Sequence, residues 1–254
     1  MLYSINSPLD QFEIRSYIGI YSPFSDISAL SLTTFSVYVL IVLFVIYVLH
    51  IITTNKVGLI PTRWSISVEA LYSTIYNMVV SQIGSKGQVY VPFIYSLFIF
   101  ILFSNLISLV PYNFAVMAQL IFTVSLSMSL WFGVTILGFN TQKLTYFGLF
   151  VPSGCSLPLV PVLVIIEGLS NAARSISLGL RLGSNILAGH LLLVILSGLI
   201  FDFMASSAIL FVVGILPLGL ILGIMCLESA IACIQAYVFC ILTSSYIKDA
   251  LYAH

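Results

Sequence analysis

Charge is what this sequence has least of. Eight basic and eight acidic side chains stand among 254 residues, 6% of the chain, and the formal net charge is zero. A soluble domain carries about 25% charged residues. With no excess of either sign there is no basic face for nucleic acid, and no nucleic-acid partner is expected. Cysteine is scarce too. Cys226, Cys233 and Cys240 recur every seven residues; on a helix, neighbours in that series lie about 10 Å apart, too far for a disulfide. Together with Cys155 they read as small apolar packing residues, in no ligand spacing for zinc or an iron–sulfur cluster. The chain lacks a GxxxxGK[ST] loop, so it makes no nucleotide contact of that kind. Neither a metal nor another cofactor is expected. The start, MLYSINSPLD, has no basic stretch followed by an apolar core and is not a secretory signal.

What is there is apolar. The hydrophobic fraction is 61% and the mean hydropathy +1.18. Such a chain is an all-α polytopic membrane protein, long enough for five or six spans of about 20 residues. Residues 1–29 are mixed and polar, with Pro8 and Pro23 against any long helix. Leu30 to Ile52 is a first span, and Asn55 to Arg63 a turn. Trp64 to Ile83 places Glu69, Asn77 and Gln82 among Val68, Leu71, Ile75, Met78 and Val79 at helical period, an amphipathic helix for the membrane interface. A short crossing helix with a polar seam is the alternative. Tyr90 to Val110 and Met117 to Phe139 form a helical hairpin over residues 90–139, joined at Pro111-Tyr112-Asn113, and Asn140 to Pro158 is a loop.

Two longer apolar segments follow, Pro161 to Phe201 and Met204 to Asp249, divided at Asp202. As single helices they would measure about 60 and 70 Å, against a hydrocarbon core of about 30 Å. Neither has a polar turn in its middle, so the reading is two long, steeply tilted helices in a hairpin over 161–249. The whole chain, 1–254, then forms one membrane domain. With five crossings, Lys56, Arg63, Lys86, Lys143 and Lys248 fall on one side, and Asp10, Glu13, Arg15, Asp26 and Asp202 on the other. The lysine-rich side, which holds the C-terminus, is the cytoplasmic one or its organelle equivalent.

The most informative stretch is Ile176 to Leu193, ISLGLRLGSNILAGHLLL, with Arg181 in its middle. An arginine at mid-membrane costs about 2.5–3.5 kcal/mol on insertion scales and cannot lose its proton. Glu167, Arg174 and Arg181 are seven residues apart and share one helix face. That stripe reads as a path for ions or protons; the same spacing suits a buried structural ladder of ion pairs. Gly179 and Gly183 form GxxxG beside Arg181, and Gly219 and Gly223 repeat it. Small residues let another helix come close, either inside the chain or from a partner carrying a carboxylate. On the last segment Glu228 and Gln235 share a face, and Asp249 lies three heptads beyond Glu228, about 31 Å. Glu228 and His190 suit a titrating relay, while a hydrogen-bonded packing role serves His190 equally. His50 and His254 receive no role.

At these residues the sequence closely resembles the ATP synthase subunit a family, in its fungal mitochondrial form. The run is SLGLRLGSNILAGHLL, preceded by PLVPVLVIIEGLS and followed by LESAIACIQAYVF and LTSSYIKDALY; the start SPLDQFEIR is similar to the fungal mature N-terminus. The resemblance implies a proton-conducting stator subunit of the membrane sector, non-catalytic on its own. It implies that Arg181 is the essential arginine facing the carboxylates of a rotating c-ring, with Asn185 its neighbour in the motif. It places His190, Glu228 and Gln235 in a half-channel open to the intermembrane space, and Glu167 and Asp249 in a matrix half-channel; Arg174 matches a basic position without an assigned transport role. The implied partners are the c-ring, the peripheral stalk, other membrane-sector subunits and the lipid bilayer. The implied place is the mitochondrial inner membrane, N-terminus in the intermembrane space and C-terminus toward the matrix, with a leader removed over residues 1–6. A self-contained secondary transporter and a non-transporting scaffold are the rival readings; the first usually has internal repeats, which this chain lacks.

Overall fold

The structure, a computed structural model, describes residues 10–21, 28–54, 62–110, 113–143, 146, 148, 159–206 and 214–252. Six α-helices run through them: α1 (Thr34–Thr54), α2 (Arg63–Ile83), α3 (Val91–Ser108), α4 (Leu120–Gln142), α5 (Val160–Ser206) and α6 (Ile215–Leu251). Five helical segments are long and apolar enough to cross a membrane, and α2 is not among them. The chain is therefore an all-α polytopic membrane protein, as its composition required. The candidate leader, Cys155, Asp26, Lys56, Pro111-Tyr112 and His254 lie outside the described residues.

α2 is built as a surface helix. Thr62 caps its start, accepting a hydrogen bond from the Ser65 amide at 3.4 Å, and Gly84 ends it at φ 84°, donating its amide to the Val80 carbonyl. Only glycine takes that φ without strain. Ile75, Met78, Val79 and Ile83 are buried on one face, while Glu69 and Asn77 are exposed. Each such side chain removed from water contributes about 1.5–3 kcal/mol.

The long segments are continuous. α5 has 47 residues and α6 has 37, about 70 and 55 Å at the helical rise. The second segment differs from expectation at its start: α6 begins at Ile215, beside Pro217, not at Met204. Proline is tolerated in a first helical turn, where no intrahelical N–H bond is lost.

One element was not expected. Ser16–Tyr21 and Ser28–Thr33 form an antiparallel pair, β1 and β2, with Ser16 opposite Thr33 and Tyr21 opposite Ser28. The Thr34 amide donates to the Arg15 carbonyl at 2.9 Å, so the pair runs straight into α1. α1 consequently starts at Thr34, four residues later than the apolar run suggested.

The chain divides into two compact units. The first comprises Met1–Leu49, Phe100–Gln119 and Ser184–Ile234; the second comprises His50–Ile99, Leu120–Gly183 and Gln235–His254. In the second, α4 and α5 approach closely at Gly179. A side chain there would strike the Ser127 hydroxyl, the Thr123 carbonyl (2.7 Å) and the Val124 Cα (2.9 Å). The Ser175 hydroxyl donates to the Ser127 carbonyl at 2.9 Å beside it. Gly179 thus serves packing inside the chain. Gly219 and Gly223 face open space.

Candidate functional site: two polar clusters in an apolar chain

The first unit contains a buried acid. Glu228 of α6 is 5% exposed and His190 of α5 is 6% exposed. The Glu228 carboxyl lies against the bare Cα of Gly189, and any side chain at that position would collide with it. That close approach explains the glycine immediately before His190. The His190 ring meets the Phe12 ring edge-on at 6.2 Å. The Phe12 carbonyl accepts from Gln119 Nε2 at 2.8 Å, which pins residues 10–12 beside the histidine. On α3, Asn105 is fully buried and donates from Nδ2 to the Ala232 carbonyl at 3.3 Å, one helical turn from Glu228. The Ser108 hydroxyl donates to the Asn105 carbonyl at 2.6 Å. A cavity of about 130 Å³ adjoins this group, lined by Gln11, His190, Ser197 and Met225 among others. Gln11 Nε2, His190 Nε2 and both Glu228 oxygens are buried without a hydrogen-bond partner among the described residues. Buried polar atoms beside room for water are how proteins hold internal water.

The second unit gathers the arginines. Asp249 lines a small cavity with Tyr246, Tyr146, Asn171 and Trp131. Tyr246, 9% exposed, lies in electrostatic range of Arg174, Asp249 and Arg181 together. Tyr146 packs on Gly138, and burial, then the Asp249 carboxylate, holds its hydroxyl above the ordinary phenol range. Glu167, four residues before Asn171 on α5, is exposed.

The stripe on α5 does not point inward. Glu167, Ser170, Arg174, Ser177, Arg181, Ser184 and Ala188 alternate by three and four residues and are all exposed. Within this chain, then, the stripe is not buried. On α6, Gly219, Gly223, Cys226, Ala230, Cys233 and Tyr237 follow the same alternation and are likewise exposed. The three described cysteines are free. Cys240 is a buried packing residue, as expected, but Cys226 and Cys233 face outward among glycine and alanine.

Comparison with known proteins decides the family. The ATP synthase A chain model matches residues 34–248. ATP synthase subunit a of Yarrowia lipolytica is 54% identical over 255 residues, covering all of both chains. That of Saccharomyces cerevisiae is 57% identical over 251 residues, covering 98% of this chain and 97% of its own. That of Wickerhamomyces canadensis is 55% identical over 251 residues, 98% of each. The chain belongs to the ATP synthase A chain family. It is a multi-pass subunit of the ATP synthase membrane sector, a part of ATP synthesis and proton transport that works with other subunits of that sector.

For this family member, the singled-out residues fall into groups. His190 and Glu228 come together in the first unit, and Asn185 is exposed there. Glu167, Arg174, Arg181 and Asp249 belong to the second. Gln235, grouped from sequence with His190 and Glu228, also belongs to the second unit; it is buried, its Nε2 without a partner. Sequence reading missed Gln11, Asn105, Asn171 and Tyr246. The sign for Asn105 was a lone amide inside an apolar span. Nothing local marked the others.

Proposed function

We propose that this subunit supplies two offset half-channels for protons, with Arg181 between them, to a carboxylate on each subunit of a rotating c-ring. Glu228 and His190, with Asn105 and the cavity at Gln11, form the access path on the intermembrane-space side, to which the family resemblance adds Gln235. Asp249 and Glu167, with Tyr246 and Asn171, form the matrix path. The observation that carries this reading is the outward α5 stripe. A chain with so few charges presents Arg181 and Arg174 on a bilayer-facing surface, where a permanent cation is costly and draws an anionic group toward it. The small residues flanking them let a partner helix reach the guanidinium. Gly219 and Gly223 of α6, which meet nothing within 4 Å among the described residues, extend such a docking surface.

The steps follow from chemistry. A proton reaches Glu228 from water in the first cavity and passes to a rotor carboxylate. Neutralised, that carboxyl leaves for the hydrocarbon as the ring turns. On the far side it meets Arg181, whose charge favours its anion, and the proton departs toward Asp249 and matrix water. The mitochondrial inner membrane, an N-terminus in the intermembrane space and a C-terminus in the matrix belong to the same proposal, as do α2 at the matrix surface, steep tilts for α5 and α6, one membrane domain, no catalysis by the chain alone, and contact with a peripheral stalk.

The test is sided accessibility. Single cysteines near 190 and 228 should be protected against silver ion or thiol reagents from one side, and those near 167 and 249 from the other. Equal reaction of all four from one side rejects two half-channels in favour of an ordinary gated pore.

A further inference from the structure

We propose that the furrow between α3, α4 and α6 is a binding site for one anionic phospholipid, its acyl chain in the furrow and its phosphate held by Lys86, Lys143 and Lys248. The inference rests on the membrane-spanning fold alone and is independent of the half-channels.

The furrow is a cavity of about 470 Å³ in the second unit. Ser129, Gly133 and Leu137 follow one another along α4 at steps of four residues, with Phe93 and Tyr90 on one flank and Ile247 on the other. It runs about 12 Å along α4. Phe93, Ser129 and Gly133 are exposed, so it opens on the outer surface. A Cβ at Gly133 would touch nothing within 4 Å, so this glycine leaves space that no other described residue fills. An apolar trough on a bilayer-facing surface suits a hydrocarbon chain.

Its head end is basic. Lys86 stands one helical turn before Tyr90, Lys143 six residues beyond Leu137, and Lys248 next to Ile247. These are three of the four lysines in the sequence, and all three are exposed. The protein ties their segments together. The Thr141 hydroxyl donates to the Ala250 carbonyl at 3.1 Å, which joins the end of α4 to the end of α6. The Lys86 ammonium sits 5.3 Å from the centre of the Tyr252 ring, which joins the start of α3 to the same end. None of the three lysines is in an ion pair among the described residues. Asp249, adjacent to Lys248, lines the separate cavity with Asn171 and Tyr246. Three exposed cations on segments tied together at one end of the trough, in no ion pair among the described residues, complement a phosphodiester carrying an acyl tail. A protein helix would fill the trough without needing the lysines, and free phosphate would need the lysines without the trough.

The experiment uses the intact complex in reconstituted membranes. Photoactivatable phosphatidylglycerol and phosphatidylcholine, each with a diazirine in the acyl chain, are introduced in parallel. Peptides spanning 129–137 should be labelled strongly by the anionic lipid and weakly by the zwitterionic one. Each Lys→Gln change should lower anionic labelling by about fivefold, and Lys86→Gln/Lys143→Gln/Lys248→Gln together should bring it to the zwitterionic level. Gly133→Leu should remove labelling by both lipids. Equal labelling by the two lipids in the unaltered complex overturns the proposal, and so does labelling by neither, which would mean that another protein segment fills the trough. The comparison in the unaltered complex decides even where a variant fails to assemble.

Discussion

The two polar clusters solve the same problem, a carboxyl in hydrocarbon, by different means. Around Glu228 the means are spatial: a glycine cleared of side chain and, at the neighbouring His190, a cavity of about 130 Å³. No arginine lines that cavity. Around Asp249 the cavity is only about 10 Å³ and the means are electrostatic, with Arg174 and Arg181 within range of Tyr246. Access by water suits loading a proton onto a carrier. A fixed positive field suits unloading one, because it stabilises the anion left behind. On the proposed reading the contrast separates a region that delivers from a region that discharges, and each prediction below strikes one region while sparing the other.

The largest effect is expected from the field. Arg181→Ala should abolish proton-driven ATP synthesis while the complex still assembles, measured as subunit abundance and coupled synthesis in the same membranes. Arg181→Lys should also be severely impaired, since an ammonium lacks the planar fork of the guanidinium. Coupling retained near the unaltered rate in Arg181→Ala would remove this residue from the mechanism.

Next comes the acid of the delivering region. Glu228→Gln keeps the size of the side chain and removes its titration. Passive flux and driven pumping should both fall, by about an order of magnitude, because a rotary cycle uses the two paths in series. A fall in one direction only would mean that Glu228 lies outside the common path.

The glycines sharpen the comparison at intermediate size. Gly189→Ala puts a methyl group where the Glu228 carboxyl lies; overpacking of this kind costs about 1–3 kcal/mol. The carboxyl is a movable side-chain end, so flux should drop several-fold at normal subunit abundance. Gly179→Ala drives its methyl group into backbone atoms of α4, which cannot step aside, so abundance should fall with activity. Gly223→Ala meets nothing within 4 Å among the described residues, and on the proposed docking surface a defect it causes at normal abundance reports a partner. Flux lost in proportion to abundance in Gly189→Ala would leave the glycine a packing residue only.

Much of this architecture is legible in the amino-acid order alone. Apolar runs near 20 residues mark the spans, and the polar positions of α2 keep it from being one. Continuity within α5 and α6 follows from the lack of a polar turn, but the turn expected at Asp202 is absent: α5 runs through that residue to Ser206, one carboxylate being too little to end a helix whose backbone bonds are otherwise made. The strands at 16–21 and 28–33 are not legible in that way: a mixed composition with Pro8 and Pro23 argues only against a long helix, whereas strand pairing is a tertiary fact carried by backbone hydrogen bonds. Charges such as Arg181 and Asp249 announce themselves in an apolar chain. Asn105, Asn171 and Tyr246 do not, since a single amide or phenol is tolerated in a span and becomes notable only through what packs beside it. The direction of the α5 stripe is also hidden, because periodicity gives a shared face but not which way the face points.

The smallest effect belongs to one of those hidden residues. The Tyr246 hydroxyl is buried, without a hydrogen-bond partner in the protein, in a cavity with Asp249 and within range of both arginines. Tyr246→Phe keeps the ring and its packing and removes only the oxygen. A buried hydrogen-bonding group is worth about 0.5–1.5 kcal/mol, about a two- to tenfold change in a rate it assists. If the hydroxyl helps relay protons past Asp249, turnover should slow within that range while thermal stability of the complex holds. Solvent hydrogen-isotope sensitivity should rise as the discharging step becomes limiting. In the Glu228→Gln background the same change should add little, because delivery then limits the cycle. Equal proportional slowing in both backgrounds would place the hydroxyl outside the discharging path and leave the arginines alone responsible for that region.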